Sequence, residues 1–216
     1  MVLAVLRHGR SGEEGGEGEE TVRELWAAAG VMVNELARPV LLLNLPASAD
    51  GFAPSGEPAY LSLHALMRSP PAWNVASRDV FVCENPNLVA IAADALGCDC
   101  APLVCTDGMP AAAQRALLSQ LATAGARLRY HGDFDWPGIA IANTVTGMFG
   151  AAPWRFFAAD YCAALERNAE ATRPLIGNAV NAGWDSALAQ VMHAHRRAID
   201  EEALATDLLG DLDTRR

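Results

Sequence analysis

From residue 79 onward, short apolar runs alternate with stretches of helical periodicity. Residues 80–83 (VFVC), 103–106 (LVCT) and 127–131 (RLRYH) are strand-like. Residues 87–96, 110–124 and 137–148 carry apolar side chains at helical spacing, and Gly97 ends the first of these. Residues 154–157 (WRFF) supply a fourth strand candidate. Strands alternating with helices of roughly 10–15 residues predict βαβ units, hence an α/β fold. Its sheet should be mainly parallel, of about four strands, with helices on both faces. Upstream, residues 21–29 fit a helix with Gly30 at its C′ position, and 39–45 a buried strand. Residues 46–58 read as loop, and the pattern at 60–67 suits a short helix or a strand equally. Residues 9–20 (GRSGEEGGEGEE) predict a mobile Gly/Glu-rich loop. Near the end, Leu188, Val191, Met192, Ile199, Leu204, Leu208 and Leu212 predict one or two amphipathic helices packed on the sheet or on a partner. The expected division is a flexible segment 1–20, an N-terminal α/β region 21–78 and a main domain 79–213.

Composition narrows the classes. An apolar fraction of 51% and a charged fraction of 19% over 216 residues support one packed core with a small appended region. No apolar run approaches the roughly 18 residues of a membrane span, and the first six residues are too short for a signal-peptide core. The chain is therefore expected to be cytoplasmic. Five cysteines, an odd number, include Cys98-x-Cys100 followed by Cys105, which lacks the usual C-x2-C zinc pairing. All 16 basic residues are arginine. Without lysine there is no P-loop, no Schiff-base nucleophile and no lysine of the phosphoaspartate enzymes. A net charge of −10 opposes independent, non-specific nucleic-acid binding. The imbalance is smallest at the centre: residues 51–159 hold 8 acids and 6 arginines.

The candidate chemistry lies where strands give way to helices. Glu84, Asp107 and Asp133 close three successive strands, 23 and then 26 residues apart. One strand plus its crossover helix fits that spacing, so the acids should share one edge of the sheet, where such folds bind ligands. Converging carboxylates repel unless a proton or a cation intervenes, and an all-oxygen set selects hard cations such as Mg2+ or Mn2+. Glu84, Asp133 and Asp135 are the candidate ligands. If the strand continues, Asp133 and Asp135 share a side and Phe134 faces the core. A plainer reading makes Asp135 the cap of the next helix, as Asn85 before Pro86 would be, and Glu84 a loop acid. Two such motifs on equivalent strand ends favour a site. Arg127, Arg129 and His131 share the parity of Asp133 and would suit a phosphate backbone entering it. A solvated edge-strand face would explain the arginines as well, and a hydrogen-bonded structural role the histidine. Asp107 fits a turn acid that could hold an outer water. Glu201 and Glu202 fit a solvated helix face unless the C-terminal segment folds over the strand ends.

Beyond these residues, FVCENP, PLVCTDG, ARLRYHGDFDWPGIAIA, AADY and EEAL, with RELWAAAGV and PVLLLNLP upstream, resemble the Toprim domain of topoisomerases, primases and related nucleases. More narrowly they resemble the Toprim-bearing nuclease subunit of Wadjet-type anti-plasmid systems, over residues 22–212. HGDFDWPG is the most specific segment. The resemblance implies a Toprim-like sheet and Mg2+ (or Mn2+)-dependent cleavage of DNA. It implies SMC-like and kleisin-like partner subunits, and leaves a homodimer open. Glu84 becomes a general acid/base or metal ligand, and Asp133 and Asp135 become the magnesium ligands. Two departures stand out: the amino-terminal half expected of such a subunit is lacking, and so is a winged-helix region with a nucleophilic tyrosine. Tyr60, Tyr130 and Tyr161 lie in other contexts, so water is the expected nucleophile. A phosphoaspartate phosphohydrolase would need its D-x-D on the first strand and a lysine. A non-enzymatic interaction module with a degenerate Toprim fold, or a topoisomerase-like enzyme, are the alternatives.

Overall fold

A computed structural model describes residues 38–48 and 54–215; the helix expected at 21–29 and the loop at 9–20 lie outside them. The described chain is an α/β structure built on a mixed sheet of six strands. These are β1 (Val40–Leu43), β2 (Ala59–Leu61), β3 (Asp79–Cys83), β4 (Leu103–Cys105), β5 (Arg127–Tyr130) and β6 (Ala152–Pro153). Their order is β2-β1-β4-β3-β5-β6. β3 to β6 run parallel, while β1 lies antiparallel to both β2 and β4. The strands expected at 80–83, 103–106 and 127–131 are thus joined in one sheet by the strand expected at 39–45, by β2 and by the short β6. β1 and β4 are buried along their whole length, as continuous apolar runs require when helices cover both faces.

Helix α1 (Leu63–Arg68) follows β2 directly. Residues 60–67, which suit either element on pattern alone, therefore hold both, with Ser62 accepting from Ala65 N as the cap between them. The helices α2 (Pro86–Leu96), α3 (Ala112–Thr123) and α4 (Trp136–Phe149) make the crossovers. α2 leads from β3 to β4 on one side, and α3 and α4 lead back past β3 to β5 and β6. Right-handed crossovers of opposite direction put α2 on one face and α3 and α4 on the other. The helices that leave β3 and β5 therefore diverge, and a crevice opens between the carboxyl ends of these neighbouring strands.

One expectation fails downstream, and the two helices expected at the C-terminal end are present with further elements beside them. Residues 154–157 are not a strand. β6 stops at Pro153, Arg155 takes a left-handed φ of +46°, and Trp154 and Phe156 turn into the core while Phe157 is exposed. There Phe156 packs on Phe134 at 4.7 Å between ring centres. The C-terminal segment is not only helical. After α5 (Ala158–Arg167) comes β7 (Thr172–Pro174), then α6 (Leu188–His195), β8 (Arg197–Ile199), a 3-10 turn (Glu201–Leu204) and α7 (Ala205–Leu212). Arg196, at φ +54°, ends α6 and turns the chain back, so that β8 pairs antiparallel with β7.

One glycine fixes how α4 meets the strand end. A Cβ on Gly138 would lie 2.1 Å from the carbonyl oxygen of Asp133, a rigid backbone atom. Gly138→Ala must push α4 off this loop, and such overpacking costs about 2 kcal/mol or more. A fall in Tm of about 5 °C or more in a thermal melt is expected.

Candidate active site

Asn85 and Asp135 are both helix caps: Asn85 Oδ1 accepts from Asn87 N at 3.0 Å, and Asp135 Oδ1 from Gly138 N at 2.7 Å. Each is followed within two residues by the proline that its helix start favours. The plainer reading of Asn85 and Asp135 as helix caps is therefore correct. Capping uses one carboxylate oxygen of Asp135; the other is 2.6 Å from Arg173 Nη2.

Glu84 ends β3, and Asp133 follows β5 across the crevice. The Asp133 amide donates to Glu84 Oε2 at 3.2 Å, so the two acids are in direct contact. Gly132 permits this approach, since a Cβ there would stand 2.7 Å from Glu84 Oε2. Phe134, fully buried, points away from both and exchanges backbone hydrogen bonds with Ile199 of β8 at 2.9 and 3.3 Å. That bridge carries the following residues over the strand ends. Glu201 N donates to Asp133 Oδ1 at 2.7 Å, and the Glu201 carboxylate accepts from the amides of Glu84 and Asn85, the latter at 2.7 Å. Glu202 accepts from the side chains of Asn85 and Asn87. The expectation of a solvated face fails for Glu201, which is fully buried. Its signal was the pair of acids itself; only the bridge at Phe134 decides that they reach the site.

Burial and mutual repulsion act on these acids in one direction. Glu84 is pushed up from 4.5 to about 7, first by burial and then by Asp133. Burial likewise pushes Asp133 up to about 6, against the lowering effect of the Glu201 amide. Glu201 is held well above its ordinary range by burial, against the two amides that favour its charge. In kind, these donors fit a hard cation: all are oxygens, crowded and short of positive charge. In arrangement, no three His, Cys, Asp or Glu side chains among the described residues converge into a coordination sphere. The oxygens are turned instead toward backbone amides and toward Arg173.

The other candidates lie elsewhere. The parity linking Arg127, Arg129 and His131 to Asp133 fails because the strand stops at Tyr130 and the chain bends to meet Ile199. Arg127 and Arg129 both bond Asp79 at the far end of β3, at 2.9–3.0 Å. His131 is fully buried, with Nδ1 bonded to the Trp154 carbonyl at 2.8 Å and its ring among Phe134, Trp154 and Phe156. It borders a cavity of about 90 Å³ with Arg155, Asp160, Arg167 and Asp207, and with none of the three candidate ligands. Burial lowers its pKa to about 4, so the ring is neutral at pH 7. Asp107 is an exposed loop residue at φ +52°. Cys83, Cys98, Cys100, Cys105 and Cys162 are all free thiols.

A family described as "Protein of unknown function C-terminus (DUF2399)" matches residues 59–212. The chain belongs to this family. No curated protein matches it. The match runs from β2 to the end of α7, so Glu84, Asp133, Asp135, Arg173 and the acids 200–202 all lie within the shared region. No helix among the described residues is long and apolar enough to cross a membrane. Sequence reasoning missed Arg173 and Asp200. Arg173 sits on a three-residue strand with no periodic signal, and Asp200 offers nothing to distinguish it from other surface acids.

Proposed function

We propose that the chain is the catalytic part of a Toprim-like, Mg2+ (or Mn2+)-dependent DNA endonuclease. One observation carries this reading: Glu84 at the end of β3 meets Asp133 at the end of the adjacent parallel β5, with Asp135 two residues on, in the crevice where the crossovers diverge. Glu84, Asp133 and Asp135 would hold the cation, which when bound stabilises charge on the phosphate and acidifies a water. Glu84, with its pKa near 7, is suited to exchange a proton with that water at pH 7. Its Oε2 is held by the Asp133 amide, which leaves Oε1 for the proton. Glu201 fixes the two strand ends relative to each other through its three backbone contacts. The net charge of −10 supports the further proposal that DNA is delivered by partners. SMC-like and kleisin-like subunits of a Wadjet-type complex would supply the positive surface, in the cytoplasm.

The test uses a short DNA duplex at low ionic strength and high protein concentration, where weak phosphate contacts suffice. Cleavage should appear with Mg2+ or Mn2+ and vanish with EDTA. No cleavage with either cation would overturn the reading. A non-enzymatic module is favoured by one fact, the lack of three converged side chains among the described residues.

Proton linkage separates the two. Glu84 and Asp133 have folded pKa values of about 7 and 6, above their ordinary 4.5 and 3.8. Groups raised in this way stabilise the fold at low pH, and that contribution is lost as pH rises from about 4 through 7. A cation that replaces the protons restores it. Mg2+ should therefore raise Tm more at pH 8 than at pH 5.5, as read by thermal melts at both. An equal or absent rise would favour the non-enzymatic module.

A further inference from the structure

Arg173 stands on β7, in the two-stranded antiparallel sheet that β7 forms with β8. Its Nη2 donates to Asp135 Oδ2 at 2.6 Å and its Nε to Asp200 Oδ1 at 2.6 Å. The two carboxylates come from segments far apart in the chain, one opening α4 and one following β8. Among the described residues, this guanidinium is the cation bonded to the group formed by Glu84, Asp133, Asp135, Asp200, Glu201 and Glu202. It also lies close enough to Glu84 to oppose the rise of its pKa.

The position of Asp135 makes this contact consequential. Its Oδ1 is committed to the Gly138 amide as the cap of α4. Oδ2 is the oxygen left for a cation, and Arg173 holds it. The arginine is 43% exposed at its side chain, whereas Asp135 is 12% exposed. It reaches the acid from the solvent side, and can leave without unpacking the core. Once it has left, it keeps its charge at any accessible pH, and its planar fork matches a phosphodiester oxygen pair.

We propose that Arg173 is a displaceable counter-ion: the divalent cation takes Asp135 Oδ2 from it, and the freed guanidinium holds the DNA phosphate. This rests on the metal-dependent reading above. It orders events at the site. Metal enters first, and the arginine that had blocked Asp135 becomes part of the DNA-binding surface only afterwards. The site would thus expose a positive group beside the metal only when it is charged for use.

The two claims separate in a titration without DNA. Mn2+ binding is measured by calorimetry for the unaltered protein, Arg173→Ala and Arg173→Gln, with thermal melts to establish folding. Removing a partly exposed ion pair that competes with the metal should tighten Mn2+ binding about fivefold in both variants. With metal bound, the same variants should need about tenfold more DNA duplex for half-maximal binding in a fluorescence anisotropy titration, reflecting the loss of one phosphate contact. Unchanged or weaker Mn2+ binding in both folded variants would overturn the counter-ion role while leaving the metal site standing. Tighter Mn2+ binding with unaltered DNA affinity would overturn the phosphate role. No Mn2+ binding by the unaltered protein would remove the metal-dependent reading itself, and this proposal with it.

Discussion

Replacing Asp133 with Asn should reduce metal-dependent DNA cleavage at least a thousandfold and leave the fold intact. Asn retains an acceptor oxygen for the Glu201 amide, which Asp133 Oδ1 now receives at 2.7 Å. It also retains the backbone N–H that reaches Glu84. What it removes is a negative charge that a hard cation needs. A metal contributes several kcal/mol of charge stabilisation to phosphoryl chemistry, and about 4 kcal/mol corresponds to three powers of ten in rate. Asp133→Ala should be equally inactive but less stable, because it orphans the Glu201 amide. The check is an initial rate at saturating Mg2+ beside a thermal melt. Asp133→Asn cleaving at the unaltered rate would refute the nuclease mechanism, since no other residue takes that position between Glu84 and Glu201.

Glu201→Ala should give the second large effect, on stability. Its buried carboxylate accepts from Glu84 N at 3.1 and 3.3 Å and from Asn85 N at 2.7 Å. Alanine leaves both amides buried without those acceptors, at about 1–3 kcal/mol each. Relief of the buried, repelling carboxyl offsets part of this, because burial and Asp133 both disfavour its charge. The amides win, because there are two of them and each is lost outright. A net loss of about 3 kcal/mol should lower Tm by about 10 °C. Glu201→Gln keeps one carbonyl oxygen for an amide and should lose about half as much. Denaturant melts of the three proteins decide it; a Glu201→Ala protein as stable as the unaltered chain would show that the carboxylate does not hold the strand ends together.

Much of this arrangement is written in local pattern. The strand at 80–83 and the helix at 87–96 end within a residue of where apolar runs, Asn-Pro and Gly97 put them. Gly132 and Gly138 stand in HGDFDWPG because a Cβ at either would strike the site, although the string alone does not reveal that reason. The parity that links Arg127 to Asp133 breaks at one identifiable place. It requires the strand to run from Arg127 through Asp133, and the chain leaves the sheet after Tyr130. Arg127 and Arg129 then belong to Asp79, and His131 to an aromatic cluster.

The residues 39–45 and 79–148 contain, in their own pattern of apolar and polar positions, the α/β architecture and the rim on which Glu84, Asp107 and Asp133 stand. Those features depend on neighbours a few residues apart, and spacing encodes them. Glu201, Asp200 and Arg173 entered only through the tertiary structure. Glu201 meets Glu84 across 117 positions of sequence, and Arg173 meets Asp135 across 38. Those meetings depend on Arg196 turning the chain and on Ile199 pairing with Phe134, long-range events that leave no periodicity behind. Local pattern thus determined which acids face the crevice, while long-range packing decided which further carboxylate and which arginine meet them there.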